Sequence, residues 1–171
     1  MARFTVDKGA LLMAESFKIL ANRYPKVHLL MVGPDEENLS QSIRDISSFN
    51  LERLTILGYT DRPQEILAEA DIFCLPSVRE GLPMAVLNAQ ASSVPVVVSK
   101  IYGSLDAVVV NETALVFEPG NVNELFDRLD SLVENVELRL SMGKAARVYV
   151  EDNFSESTIT LALHDFYIGF G

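Results

Sequence analysis

The chain has 171 residues, with 14 basic against 24 acidic side chains, a net charge of −10 and a pI near 4.6. That balance excludes a general nucleic-acid binder, which carries a basic face and a high pI, and a domain held on anionic lipid by its own charge. At 49% apolar and 22% charged residues the chain folds around a core rather than staying disordered, and its length favours one domain spanning 1–171. In chain order, Lys8 to Arg23 carries Leu11, Leu12, Ala14, Phe17 and Leu20 at helical spacing and stops before Pro25. Val27 to Val32 is a short apolar strand closed by Gly33-Pro34. Asp35 to Phe49 reads as a solvated helix, Leu54 to Leu57 as a strand, and Pro63 to Ala70 as a short helix with proline at its start. Ile72 to Leu75 is a strand, Gly81 to Ala91 a helix, and Val94 to Val98 a strand with Pro95 near its beginning. Leu105 to Val110 is a short helix and Ala114 to Phe117 a strand. Helices follow over Val122 to Val133 and Leu138 to Val150, and Ser155 caps a last one through Tyr167.

Apolar strands of four to six residues alternating with helices predict right-handed βαβ units. The expected fold is α/β: a doubly wound parallel sheet in a Rossmann-like three-layer sandwich. Ligands in such folds bind outside the carboxyl ends of the strands, so loops 33–36, 58–62, 76–84, 99–106 and 117–121 are the ones to watch. A doubly wound sheet begins with a strand, and this chain opens Met1-Ala2-Arg3-Phe4 with almost none before its first helix. It is therefore read as a fragment of a longer protein.

No apolar run reaches the roughly 18–20 residues that span a bilayer, and no basic stretch followed by an apolar one suggests a signal peptide. Cys74 is the only cysteine, which rules out an internal disulfide and fits a cytoplasmic setting. It sits mid-strand and reads as core. His28 and His164 lie far apart with no ligand spacing around them, so no metal site is expected.

Pro76 to Gln90 carries the chemistry. A carboxylate, Glu80, and a glycine, Gly81, stand between a buried strand and a helix start. The first N–H groups of a helix lack internal partners and the helix dipole adds positive charge there. With Gly81 admitting close approach and Pro83 in the first turn, that corner can seat a phosphate. Glu80 can accept from sugar hydroxyls, and Asn88 lies two turns on along the same face. The blander readings are a carboxylate meeting a helix dipole and an asparagine satisfied within the fold.

The run Pro76-Ser77-Val78-Arg79-Glu80-Gly81-Leu82-Pro83, its apolar helix and Val94-Pro95-Val96-Val97-Val98 resemble the donor-binding half of retaining glycosyltransferases of the GT-B fold, family 4. The resemblance spans nearly the whole chain. Arg3 with Lys8-Gly9 is similar to the family's G-R-x-x-x-x-K-G opening, and Val32-Gly33-Pro34 to its V-G-x-G turn. Leu57-Gly58-Tyr59 resembles the loop against the nucleobase, Ala70 to Ser77 the A-D-hydrophobic-P-S strand, and Glu118-Pro119-Gly120-Asn121 the P-P-G-D loop. The resemblance implies that Glu80 binds the donor sugar and that Arg3 and Lys8 neutralise the leaving diphosphate, with electrostatic catalysis. It implies that the backbone of Gly81, Leu82, Pro83 and Met84 holds the distal phosphate, and that Gly33, Gly58, Tyr59 and Asn88 complete the nucleotide site. It further implies a nucleoside-diphosphate sugar as substrate, most often a uridine one, no metal or other cofactor, and an acceptor-binding amino-terminal domain missing from this chain. That missing half is the only route expected to a membrane surface, at the inner face.

The sequence departs from the family pattern at several points. The family's second glutamate, which binds the ribose, is here Asn88. Tyr102-Gly103 replaces a glycine pair, Asp106 stands where glutamate is common, and Ser93, Asn111 and Ala114 replace frequent glycines. These changes motivate an alternative, a non-catalytic nucleotide-sugar-binding or scaffold module. An epimerase on the same architecture is a further one.

Overall fold

The computed structural model describes residues 1–168, apart from the side chains at positions 49, 162, 163 and 165. After an extended start the first helix, α1 (Ala10–Arg23), leads into β1 (Leu29–Val32). Helix α2 (Ser40–Ile46) and a 3-10 turn (Ser48–Arg53) precede β2 (Leu54–Leu57), and α3 (Pro63–Ala68) precedes β3 (Phe73–Leu75). Then come α4 (Met84–Ala91), β4 (Val96–Ser99), α5 (Tyr102–Leu105) and β5 (Ala114–Phe117). Three helices end the chain: α6 (Val122–Glu134), α7 (Val136–Phe154) and α8 (Glu156–Ile168). No helix among the described residues is long and apolar enough to cross a membrane.

All strand pairing is parallel, as expected, but it comes in two pieces. β1 pairs with β2, Leu29 opposite Leu54 and Val32 opposite Leu57. β3, β4 and β5 form the second piece in that order, with Val97 between Cys74 and Leu115. Helices cover both faces, which is why β4 is apolar at successive positions. Val97 joins the core beneath α1 and α6, with Phe17, Phe117 and Leu125, while Val96 and Val98 join that beneath α4 and α7, with Val86 and Leu87.

Several boundaries differ from the sequence reading, each for a local reason. α1 begins at Ala10, not Lys8, because Gly9 adopts a left-handed φ of 72°. A Cβ there would strike the Pro76 carbonyl, so glycine is required. The helix expected over 35–49 is short because the Asp35 carboxylate accepts from the Leu39 and Ser40 amides at 2.7 and 3.0 Å. That cap starts α2 late. α4 starts at Met84, since Pro83 is extended at φ −77°, ψ 93°. β4 begins at Val96 because the Val94 amide turns back to the Ala89 carbonyl at 3.0 Å. The helix expected over 105–110 is instead the single turn Tyr102–Leu105. Residues 109–113 close a turn of their own, with the Val109 amide donating to the Thr113 hydroxyl at 2.9 Å and Asn111 at φ 64°. The Ser155 cap is as expected, its hydroxyl accepting from the Thr158 amide at 3.2 Å.

Candidate functional site at the strand carboxyl ends

Two segments far apart in sequence meet at the carboxyl end of β3. One is the turn before α1, which carries Lys8. The other is the loop from Pro76 to Pro83, which carries Glu80. The Val78 amide donates to the Asp7 carbonyl at 2.8 Å, and Gly9 packs on Pro76. Lys8 Nζ then donates to Glu80 Oε1 at 2.8 Å, with only 16% and 12% of the two side chains exposed. Shielding from water makes such a charge pair tighter than a surface one.

Around this pair the turn is further pinned. The Thr5 hydroxyl bonds the Asp7 carboxylate, and that bond, helped by the charges of Lys8, Arg79 and Arg3, holds the Asp7 carboxyl below the usual carboxylate range. The Val6 amide donates to Glu37 Oε2 at 2.9 Å. Arg3 does not join Lys8 and Glu80. Its guanidinium pairs with Glu36 at 3.0 Å, on the exposed loop after β1.

The start of α4 is open. It has no side-chain cap, and among the described residues the Met84 and Ala85 amides have no protein acceptor. Nothing lies within 4 Å of where a Gly81 side chain would project. Leu82 and Met84 are exposed, and Asn88, one turn beyond Met84, is exposed, its side-chain amide without a hydrogen-bond partner among the described residues. α4 therefore presents free N–H groups, a thioether and a carboxamide along one face, next to the Lys8–Glu80 pair.

The remaining expected residues lie further off. Gly33, at φ 146°, accommodates the backbone at Ala2, whose carbonyl a Cβ would strike. Its amide donates to the Leu57 carbonyl at 3.0 Å. Gly58 and Tyr59 follow β2, and Tyr59 is 82% exposed. They share the rim with Glu80 without touching it. At the other end of the rim Lys100 Nζ donates to Glu118 Oε1 at 2.8 Å, and this bond and charge raise the Lys100 pKa.

Gly103 is a residue that the motifs alone did not mark as part of the site. Its Cα side faces the carbonyls of Glu80 and Gly81 so closely that any side chain would push the loop away. The retained glycine of an altered pair was the available signal. Ser77, Ser99 and Ser104 carry buried hydroxyls that have no hydrogen-bond partner among the described residues. Burial pushes the Cys74 thiol up to about 12, which disfavours the thiolate near neutral pH. Among the described residues no three His, Cys, Asp or Glu side chains are grouped to hold a metal ion.

The family profile described as "Glycosyl transferases group 1" matches residues 1–149. The capsular polysaccharide biosynthesis glycosyltransferase CapM of Staphylococcus aureus is 28% identical over 168 residues, covering 98% of this chain and 44% of its own. UDP-Gal:alpha-D-GlcNAc-diphosphoundecaprenol alpha-1,3-galactosyltransferase of Escherichia coli is 28% identical over 172 residues, again covering 98% of this chain and 44% of its own. The crystal structure of S. aureus TarM in complex with UDP superimposes with a TM-score of 0.85 at 27% identity, over 95% of this chain and 34% of that one. The chain thus spans less than half the length of these relatives.

Proposed function

The chain belongs to the group 1 glycosyltransferase family, and on that premise we propose that it is the donor-binding half of a retaining glycosyltransferase that uses a nucleoside-diphosphate sugar. The observation that carries this is the shielded Lys8–Glu80 pair, 2.8 Å across, beside the uncapped start of α4. Glu80 accepts hydrogen bonds from donor-sugar hydroxyls. The free amides of Met84 and Ala85, with Gly81 leaving room for approach, hold the distal phosphate. Lys8 swings from Glu80 to the diphosphate, and Arg3 leaves Glu36 to add a second positive charge as the bond to the sugar breaks. Charge develops on the leaving diphosphate, and fixed donors aimed at it lower the barrier. Neutralisation is thus assigned to Lys8, Arg3 and α4, with no metal ion invoked. Asn88 accepts from the ribose, and Gly58 and Tyr59 lie against the base.

The donor is a UDP-sugar on this reading, supported by the UDP bound to TarM and by the donor in the E. coli relative's name. The acceptor is a saccharide or a lipid-linked one and sits on an amino-terminal domain outside this chain. A retained fold without transfer chemistry has one observation in its favour, the neutral Asn88.

An amide NMR titration with UDP, GDP and ADP tests the reading. Shifts clustered at residues 3–8, 57–60 and 80–88 with UDP at submillimolar affinity are expected, and Glu80→Gln should leave UDP binding intact while weakening a UDP-sugar. Equal, scattered shifts with all three nucleotides would sink it. Asn88→Glu should tighten UDP severalfold, because a charged acceptor is worth about 1.5–3 kcal/mol against about 0.5–1.5 for a neutral one.

A further inference from the structure

Tyr102 is the most exposed large apolar or aromatic side chain among the described residues, at 84%, and Tyr59 comes next. Both stand on the rim, at its two ends. Tyr59 follows β2, and Tyr102 opens α5 just after β4. The Lys8–Glu80 pair lies between them, beyond the end of β3, and β3 is the direct neighbour of β4.

The backbone under Tyr102 is fixed. The Lys100 amide donates to the Phe117 carbonyl at 2.8 Å, and the Leu105 and Asp106 amides donate to the Ile101 and Tyr102 carbonyls at 3.0 and 3.2 Å. Gly103 and Ser104 are buried. A Cβ on Gly103 would fall 1.7 Å from the Gly81 carbonyl oxygen and 2.4 Å from that of Glu80. Consecutive Cα atoms are about 3.8 Å apart, so the Tyr102 Cα stands within about 7 Å of the Gly81 carbonyl. That distance is comparable to the length of a tyrosine side chain. The ring itself stands clear of the protein, and its hydroxyl has no hydrogen-bond partner among the described residues. A bare ring on a rigid backbone is a ready contact surface: an apolar face with a polar tip and few torsions left to order.

The charges nearby narrow what the ring meets. Residues 99–106 carry Lys100, bonded to Glu118, and Asp106. With Glu118 they sum to a net negative charge, which disfavours a phosphate and tolerates a neutral group. A neutral pyranose fits. Its C–H groups match the negative face of the π-system, and its hydroxyls can exchange hydrogen bonds with the phenol. With the base at Tyr59 and the sugar hydroxyls at Glu80, the donor runs from the β2 end of the rim toward β4. We propose that Tyr102 is the stacking platform for the donor's sugar ring, closing the side of the sugar subsite away from the base and helping to determine which sugar is taken. The assignment rests on the donor-binding reading of Lys8, Glu80 and α4.

Calorimetric titration of the unaltered chain, Tyr102→Ala and Tyr102→Phe with UDP, UDP-glucose and UDP-N-acetylglucosamine tests it. Tyr102 is exposed, so its replacement should leave the fold intact, which matching amide spectra check. Tyr102→Ala should weaken at least one UDP-sugar by at least about fivefold, or about 1 kcal/mol, while UDP changes by less than about twofold. Tyr102→Phe keeps the ring and should keep most of the affinity. Transferred NOEs from the Tyr102 ring to sugar C–H protons, lost in Tyr102→Ala, should read the contact directly. Unchanged binding of both UDP-sugars by Tyr102→Ala would overturn the proposal. An equal loss for UDP would also overturn it, by assigning the ring to the nucleotide, as would a selective loss without those NOEs. UDP binding without any effect of Tyr102 fails this proposal alone, whereas no UDP binding by any form fails the donor reading and this proposal with it.

Discussion

The two pieces of sheet are made from similar strands and end up differently. In the β3–β4–β5 piece, Val96, Val97 and Val98 are sealed between α1 and α6 on one side and α4 and α7 on the other. In the β1–β2 piece, Leu30 is 41% and Leu57 42% exposed. Burial on both faces is what makes a parallel sheet stable, so the second piece is the stiff part and the first the soft one. The candidate site is built across them. Glu80, Gly81 and Asn88 stand on the stiff part and Gly33 and Tyr59 on the soft one, while Arg3 and Lys8 lie on the segment before α1 that touches both. The Lys8–Glu80 and Val78–Asp7 bonds are the stitches between them.

The contrast can be broken most severely in the stiff piece. Phe117→Ala should lose about 3–5 kcal/mol in urea denaturation, whereas Leu57→Ala should lose less than about 1 kcal/mol. Equal losses would erase the distinction. Next in size is Lys8→Met, which leaves a shielded Glu80 unpaired and should lose about 1–3 kcal/mol. Lys8→Met with Glu80→Gln together should recover part of it, and a double-mutant cycle reads the coupling.

Gly33→Ala acts on the soft piece alone. Its Cβ meets the Ala2 carbonyl and its φ of 146° is unfavourable, so a loss of more than about 1 kcal/mol is expected, with faster exchange at the Ala2 and Phe4 amides. The smallest effect is acidic. The folded Asp7 pKa is depressed, chiefly by the Thr5 hydroxyl. Its contribution to stability is present above the ordinary carboxylate value of about 3.9 and fades as pH falls below it. Thr5→Val raises the folded pKa and should flatten the loss of Tm between about pH 4 and 2.

The architecture was legible because apolar runs bounded by Gly and Pro mark buried parallel strands, and Ala114–Phe117 and Leu54–Leu57 fall where the runs do. What the runs could not convey is where side chains outcompete the helix. Asp35 takes the amides that would have begun α2, and Thr113 folds 109–113 into a turn despite the apolar run before it. The resemblance assigned Lys8 and Glu80, 72 positions apart, to one donor, and the fold adds that the two side chains are bonded to each other. It equally shows Arg3 turned to Glu36. Gly103 stood out in the sequence only as the retained glycine of an altered pair, and the space it leaves for the Glu80 and Gly81 carbonyls is seen only in the fold.

Cys74 has a use that follows from its place on the β3 edge. A half-buried thiol whose pKa is raised to about 12 reacts only slowly with a disulfide reagent at mild pH, and faster the more that edge is opened to water. The chain therefore carries a built-in reporter on that edge. The labelling rate, followed by mass, would read how far the β3 edge is exposed without any introduced probe, and whatever covers the edge would slow it.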